Sequence, residues 1–547
     1  AGQNFSLTIR AQDVGGNDVL FSGPVTLTDN TGTLTPTSVT FSNQAFVTIS
    51  TARIIKAQSN VVINASGSAK PAQSNSFNVT HAALDHFDVT NTSGGNVGSQ
   101  VAGTNFAIKI VARDAFANIV TSFNSSVTLT NTTASITPTS SGNFTNGELA
   151  SLTVNITKTS SADAISVSGG TPTRNGSSNN FAVNAGALAD FRIANISSPQ
   201  IAGVAFPLIV TAVDANENTV TGFTGTVSIS VTGGGISPNA SGNFINGVWN
   251  GSVSISNAGA GRIITVSGSG FNQDSNPFTV NAGVLDHFVI DPPITSPQSA
   301  GQNFSVTVRA KDVNNNDVLH NGTVTLTDNT GTLTASSLVF ANQAVQTITN
   351  ARITKAQAGV VITASGSGKA VQSNAFTVNP DLLHHFSITN TSGNPIGSQT
   401  AGTPFNIRIT AQDQFNNTMT GFVQTVTITD LSSPPINITS GAFSAGVLTS
   451  QSITILKART DNQLTVSGGV PPVNGMSSLF NVNPAALDHF TIDPITDQAT
   501  SAPFTITLRA MDANENIVTS FIGNVSITDL TGTITPTNSG AFIGGVR

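Results

Sequence analysis

Apolar residues alternate with Thr, Ser and Asn along this chain. Val25-Thr26-Leu27-Thr28, Val227-Ser228-Ile229-Ser230, Val324-Thr325-Leu326-Thr327 and Ile506-Thr507-Leu508-Arg509 are examples. A period of two puts one side of an extended segment in a core and the other in water, so these runs predict half-buried antiparallel strands. Val and Thr suit that setting because their branched Cβ is stiff and packs on a pleated surface. Gly, Asn and Asp punctuate the runs about every 8–12 residues, as at Thr31-Gly32, Asn146-Gly147 and Asn246-Gly247. No stretch carries a 3.6-residue amphipathic pattern. The predicted fold class is all-β.

The strands belong to a repeat. An Ala-Gly turn, a Phe, an alternating run and an Asp/Asn pair four apart recur six times, the last copy with Ser501-Ala502-Pro503 in place of the turn. The Phe residues are Phe5, Phe106, Phe206, Phe304, Phe405 and Phe504. The pairs are Asp13/Asn17, Asp114/Asn118, Asp214/Asn218, Asp312/Asn316, Asp413/Asn417 and Asp512/Asn516, at steps of 101, 100, 98, 101 and 99. A Leu-x-x-Phe marker opens the units at Phe87, Phe191, Phe288, Phe386 and Phe490, and a closing strand carries Phe77, Phe181, Phe278, Phe376 and Phe480. Ala1-Gly2-Gln3-Asn4-Phe5-Ser6 returns as Ala300-Gly301-Gln302-Asn303-Phe304-Ser305, an offset of 304 − 5 = 299, so a block of three repeat types is duplicated.

About seven short strands in about 100 residues fit an Ig-like β-sandwich. The alternative, a β-solenoid, repeats at about 20–30 residues and does not match this period. The expected architecture is tandem Ig-like β-sandwich domains in a linear rod, bounded as 1–82 (lacking its first strand), 83–186, 187–283, 284–381, 382–485 and 486–547 (truncated at its C-terminus). Only a few residues separate a closing strand from the next Leu-x-x-Phe strand, which predicts stiff joints. Two full blocks need 2 × 299 = 598 residues, 598 − 547 = 51 more than are present. The expectation is a section of a longer array, or open ends completed by a neighbouring chain.

Composition narrows the function. Hydrophobic residues make up 38% and charged ones 9%, against about 25% charged in an average soluble protein. Enough apolar surface exists for cores, and disorder is not expected. The 27 acidic and 20 basic residues are scattered, giving a net charge of −7 without a basic patch, so nucleic acid is not an expected partner. The absence of Cys excludes disulfides, thiolate nucleophiles and cysteine metal centres. Tyr is absent and Trp249 is the one Trp, whereas there are 31 Phe. The Phe rings are expected in cores, as is Trp249, and a Tyr/Trp-anchored binding surface is not. The longest apolar runs are a few residues, so no membrane segment or signal h-region lies in this stretch.

The Asp-x-x-x-Asn loops are the most regular polar feature. Oxygen-bearing side chains at alternate positions suit Ca²⁺, and the candidate ligands are Asp214, Asn216 and Asn218; Asp312, Asn314 and Asn316; Asp512, Asn514 and Asn516. The favoured reading is a turn, with Asp capping backbone N–H groups and Asn in a left-handed conformation. No confident metal site and no cofactor are expected. His86, His287, His385 and His489 recur once per repeat without clustering, and are expected as polar contacts at domain junctions. No nucleophile elbow, phosphate loop or dinucleotide motif occurs. Glu is limited to Glu148, Glu217 and Glu515, which disfavours carboxylate-pair catalysis and Lys–Asn isopeptide crosslinks. Asn-x-Ser/Thr sequons include Asn64, Asn78, Asn155, Asn239, Asn321, Asn437 and Asn524, acceptors if the chain is exported by a glycosylating host.

The stretch from Ala401-Gly402-Thr403-Pro404-Phe405 through Asp413 and Asn417 to Thr420-Gly421-Phe422, with Ser440-Gly441-Ala442-Phe443 and Gly446-Val447-Leu448 after it, resembles bacterial tandem Ig-like repeats of the invasin/intimin type. The resemblance spans essentially the whole chain and implies an extracellular or cell-surface stalk, fibre or adhesin shaft. The expected function is that of a non-catalytic structural protein. Sparse charge lowers repulsion between neighbouring chains, so self-association into fibres or bundles is expected. The alternative is an adhesin or phage-fibre segment that binds a glycan or a host protein.

Overall fold

The computed structural model describes residues 1–547, built of strands, turns and loops without a helix. No helix is long and apolar enough to cross a membrane. The chain divides into two compact units, Ala1–Asn281 and Ala282–Arg547. The first holds three separate cores, around Leu27 and Phe41, around Phe87 and Ile110, and around Phe191 and Trp249. The second holds three more, around Phe288 and Val308, around Phe386 and Ile409, and around Leu508 and Phe542.

The sandwich around Phe87 shows how the pattern folds. Phe106–Asp114 lies between Leu84–Asn91 and Glu148–Ile156, antiparallel to both. Across the core run Thr128–Asn131, Ile165–Gly169 and Arg174–Ser177. Leu129 and Val167 point inward while Thr128, Thr130 and Ser166 face water, as the alternation predicts. This sandwich has ten strands rather than seven because two segments change sheets midway and a short strand, Ile136–Thr137, is added beside Glu148–Ile156. Leu84–Asn91 pairs with Phe106–Asp114, but Gln100–Val101 joins Phe181–Asn184. Likewise Ser160–Asp163 pairs with Phe181–Asn184 and Ile165–Gly169 with Thr128–Asn131. Where the two sheets meet, Gly176 passes Phe87 in parallel. A Cβ there would lie 2.0 Å from the Phe87 carbonyl oxygen, so only glycine fits.

The marker Phe residues build each core. The turn Phe and the closing-strand Phe stack edge to face in five sandwiches: Phe5–Phe77, Phe106–Phe181, Phe206–Phe278, Phe304–Phe376 and Phe405–Phe480, with centroids 5.9–6.1 Å apart. A second cluster joins the Leu-x-x-Phe ring to two more, as in Phe87–Phe123–Phe144 and Phe386–Phe422–Phe443. His320 takes the middle place between Phe288 and Phe340, 5.5 Å from each. The first sandwich has Phe21 and Phe41 alone, and its strand Phe5–Arg10 has one neighbour, Phe46–Ala52. Trp249 is a core residue, its ring lying over Gly251.

Candidate functional site

The Asp-x-x-x-Asn loops follow the strands that carry the turn Phe. In the loop after Phe405–Gln412, Asp413 Oδ1 accepts the N–H groups of Phe415 (2.8 Å) and Asn417 (2.9 Å). Its Oδ2 accepts Asn417 Nδ2 (2.8 Å) and the backbone N–H of Asp381 (2.9 Å), in the segment that leads into this sandwich. The other loops repeat the arrangement. Ala82, Gly186, Gly283 and Ala485 donate to Asp114, Asp214, Asp312 and Asp512, each at 2.8 Å. These five carboxylates are at most 2% exposed. Burial disfavours their charge, yet the N–H donors outweigh it and hold each below its ordinary value. The left-handed residue is the one before the motif Asn: Ala117, Glu217, Asn315, Asn416 and Glu515. The Asn itself is not left-handed, and its side chain is committed elsewhere.

That commitment is to the preceding sandwich. Asn118 Nδ2 donates to the Ile55 carbonyl (2.7 Å), and its Oδ1 accepts the Ala57 N–H (2.7 Å). Asn218 does the same with Thr157 and Thr159, at 2.8 and 3.1 Å. Asn417 binds Thr354 and Ala356 at 2.7 and 2.8 Å, and Asn516 binds Leu456 and Ala458 at 2.7 and 2.8 Å. Each amide spans residues n and n + 2 of a neighbouring backbone, the spacing of one side of a strand. The Asp below holds that amide in place, so Asp and Asn act together as a clamp.

The Ala-Gly turn forms the other half of the joint. Gly2, Gly103, Gly301 and Gly402 have φ between 76° and 77°, which favours glycine. Each donates its N–H to the Ile at the base of the clamped loop: Ile54, Ile156, Ile353 and Ile455. A Cβ on Gly2 or Gly301 would lie 2.0 or 2.2 Å from the ring of Phe116 or Phe415, the third residue of the next loop. On Gly103 or Gly402 it would lie 2.4 or 2.6 Å from Asn216 or Asn514 Nδ2. In those two joints Lys158 and Lys457 Nζ also donate to the Asn216 and Asn514 carbonyls, at 2.8 and 2.7 Å. The three-repeat block is thus written into the joints: a Phe joint and a Lys–Asn joint, each returning in the second unit.

The nine candidate cation ligands are placed as follows. Asp214, Asp312 and Asp512 spend Oδ1 on the N–H groups of residues two and four further on, Asn216/Asn218, Asn314/Asn316 and Asn514/Asn516. Asn218, Asn316 and Asn516 turn Nδ2, not the amide oxygen, toward the carboxylate, at 2.9 Å from Oδ2. Donors therefore surround these carboxylates. No three His, Asp or Glu residues come together as a metal-holding group. His86, His287 and His489 pair with the carboxylate just before them, Asp85, Asp286 and Asp488, at 2.9–3.0 Å, and do not supply the joint contacts; His385 meets His384. Sequence reading missed the glycines, the clamped loops and the two lysines. The recurrence of Ala-Gly ahead of each Phe was the available signal.

No protein-family model matches the chain, and no curated protein matches it. Among solved structures it is similar to the Escherichia coli adhesin FdeC, at 20% identity over 55% of this chain and 99% of that one, with a TM-score of 0.27. Invasin, a bacterial integrin-binding protein, is similar at 13% identity over 72% and 78%, TM-score 0.26. Immunoglobulin domains 1–5 of Sidekick-1 are similar at 10% identity over 88% and 96%, TM-score 0.19. The fold class stands on the strands, registers and cores described above: the chain is an all-β protein of tandem Ig-like sandwiches.

Proposed function

We propose that this chain is a non-catalytic extracellular spacer, a stalk or fibre segment of six Ig-like domains bounded near 82, 186, 283, 381 and 485. The observation that carries this reading is the Asp–Asn clamp, which ties a loop of one sandwich to the backbone of the one before it in the same geometry four times. A hydrogen bond contributes about 0.5–1.5 kcal/mol net, so two per Asn, added to the buried Asp contacts, resist bending at these four joints. Reach and stiffness come from repetition, and the neutral polar surface allows chains to associate end to end or side by side. In this reading the loops are mechanical parts and not cation sites.

Two experiments test it. The variant with Asn118, Asn218, Asn417 and Asn516 all changed to Ala is expected to keep its strands. Amide exchange at Ala57, Thr159, Ala356 and Ala458 should rise at least about tenfold, the equivalent of about 1.4 kcal/mol per joint. Unchanged protection at those amides contradicts the clamp. Calcium titration is expected to leave the melting temperature where it is. A rise of several degrees that Asp214→Asn weakens would return these loops to the cation reading.

A further inference from the structure

The two residues ahead of the marker Phe are brought side by side in four sandwiches. In three of them they are Asp and His. Asp85 Oδ2 lies 2.9 Å from His86 Nδ1, and Asp286 and Asp488 Oδ2 lie 3.0 Å from His287 and His489 Nδ1. The same backbone entry to the strand recurs ahead of Phe386, where the His384 N–H donates to the Gln412 carbonyl as Asp286 donates to Lys311. There His384 stands in the place of the Asp, so two imidazoles meet. Their Nδ1 atoms lie 3.2 Å apart, and their rings stand at 86° with centroids 5.4 Å apart. His384 is exposed and His385 half-buried beside the buried Phe386.

A carboxylate beside Nδ1 favours the proton there, which makes the other three His donors. His384 presents no such anion to His385. One ring donates to the other through a single shared proton, and each Nδ1 carries a lone pair when its ring is protonated on Nε2 instead. Two nitrogens held about 2.0–2.1 Å from one ion lie about 2.9 Å apart at a right angle and about 3.4 Å apart in a tetrahedron. The 3.2 Å between His384 and His385 falls within that span. We propose that His384 and His385 chelate one divalent transition ion through their Nδ1 atoms, with water completing its shell. Imidazole suits Zn²⁺, Ni²⁺ and Cu²⁺, and Cu²⁺ binds most tightly of the three. On binding, the shared proton moves to Nε2 of its ring, which stays neutral, and the ion takes its place. This site is separate from the Asp–Asn loops, whose carboxylates are already surrounded by donors.

Titration of the 547-residue chain with Cu²⁺, followed by electron paramagnetic resonance, tests the pair. The tightest ion is expected to show the hyperfine pattern of two imidazole nitrogens. His384→Asp copies the Asp–His pair of three other sandwiches, so the fold accommodates it. It should weaken that ion's binding at least about tenfold, because a second ligand is no longer held at high effective concentration. One imidazole nitrogen should then remain in the spectrum. His385→Ala should weaken binding as much, whereas His86→Ala should change nothing. Unaltered affinity in His384→Asp, or the same spectrum in both chains, overturns the chelate. A tight ion that is lost in His86→Ala instead overturns its placement.

Discussion

The buried Asp and Asn residues at positions 131, 163, 430 and 462 are matched to their neighbours one proton at a time. Two sandwiches related by the 299-residue offset carry the same pair with its members exchanged. Asn131 donates to Asp163 at 2.7 Å, and Asn462 donates to Asp430 at 2.9 Å. Asp163 accepts the N–H groups of Thr132 and Ala164, and Asn462 those of Leu431 and Gln463. Either residue type satisfies either backbone, provided that one of the two supplies a donor. Asn131→Asp would face two carboxylates at contact distance in a buried place, where both cannot stay ionised. It should destabilise that sandwich by about 3–5 kcal/mol, read as a lowered calorimetric transition. The double variant Asn131→Asp/Asp163→Asn, which copies the other sandwich, should recover most of the loss. Failure of that rescue would mean that the surroundings, not the pair, fix the orientation. Comparing positions 131 and 163 with 430 and 462 makes the exchange visible in the sequence, though only once the two are known to touch across 32 residues.

At the level of strands and loops, periodicity made the sheets legible because burial on one face leaves a mark at every second residue. The Phe residues were legible as core for the same reason. Partnership was not. The motif Asn residues stood out by recurrence, but their partners lie 58 to 63 residues earlier, in a different sandwich, and are backbone groups that any residue supplies. The changes of sheet at Ala164 and after Asn91 left no composition signal either. Close approach is the one backbone effect that did, through glycine. Gly176→Ala should cost the Phe87 sandwich about 1–3 kcal/mol through overpacking, since its Cβ would meet the Phe87 backbone. Gly142→Ala, which opens onto free space, should leave the same transition nearly unmoved. Equal effects of the two would contradict the parallel seam between the sheets.

For the whole molecule, the claim is that the joints turn a string of small cores into a spacer. Two joint designs recur at the same places in both units, which is what duplication of a working three-repeat block preserves. Charge is scattered along the chain, but five of the 27 acidic residues sit buried in the joint loops with both carboxylate oxygens engaged, where they hold the clamp Asn residues. Distances between spin labels within one unit test this most directly. Thr128 and Ser228 lie exposed in neighbouring sandwiches, on either side of the Asn218 joint, and the chain has no Cys to compete with labels placed there. The account predicts a single narrow distance distribution for labelled Thr128→Cys/Ser228→Cys, which Asn218→Ala broadens. A distribution already broad with Asn218 in place would contradict it.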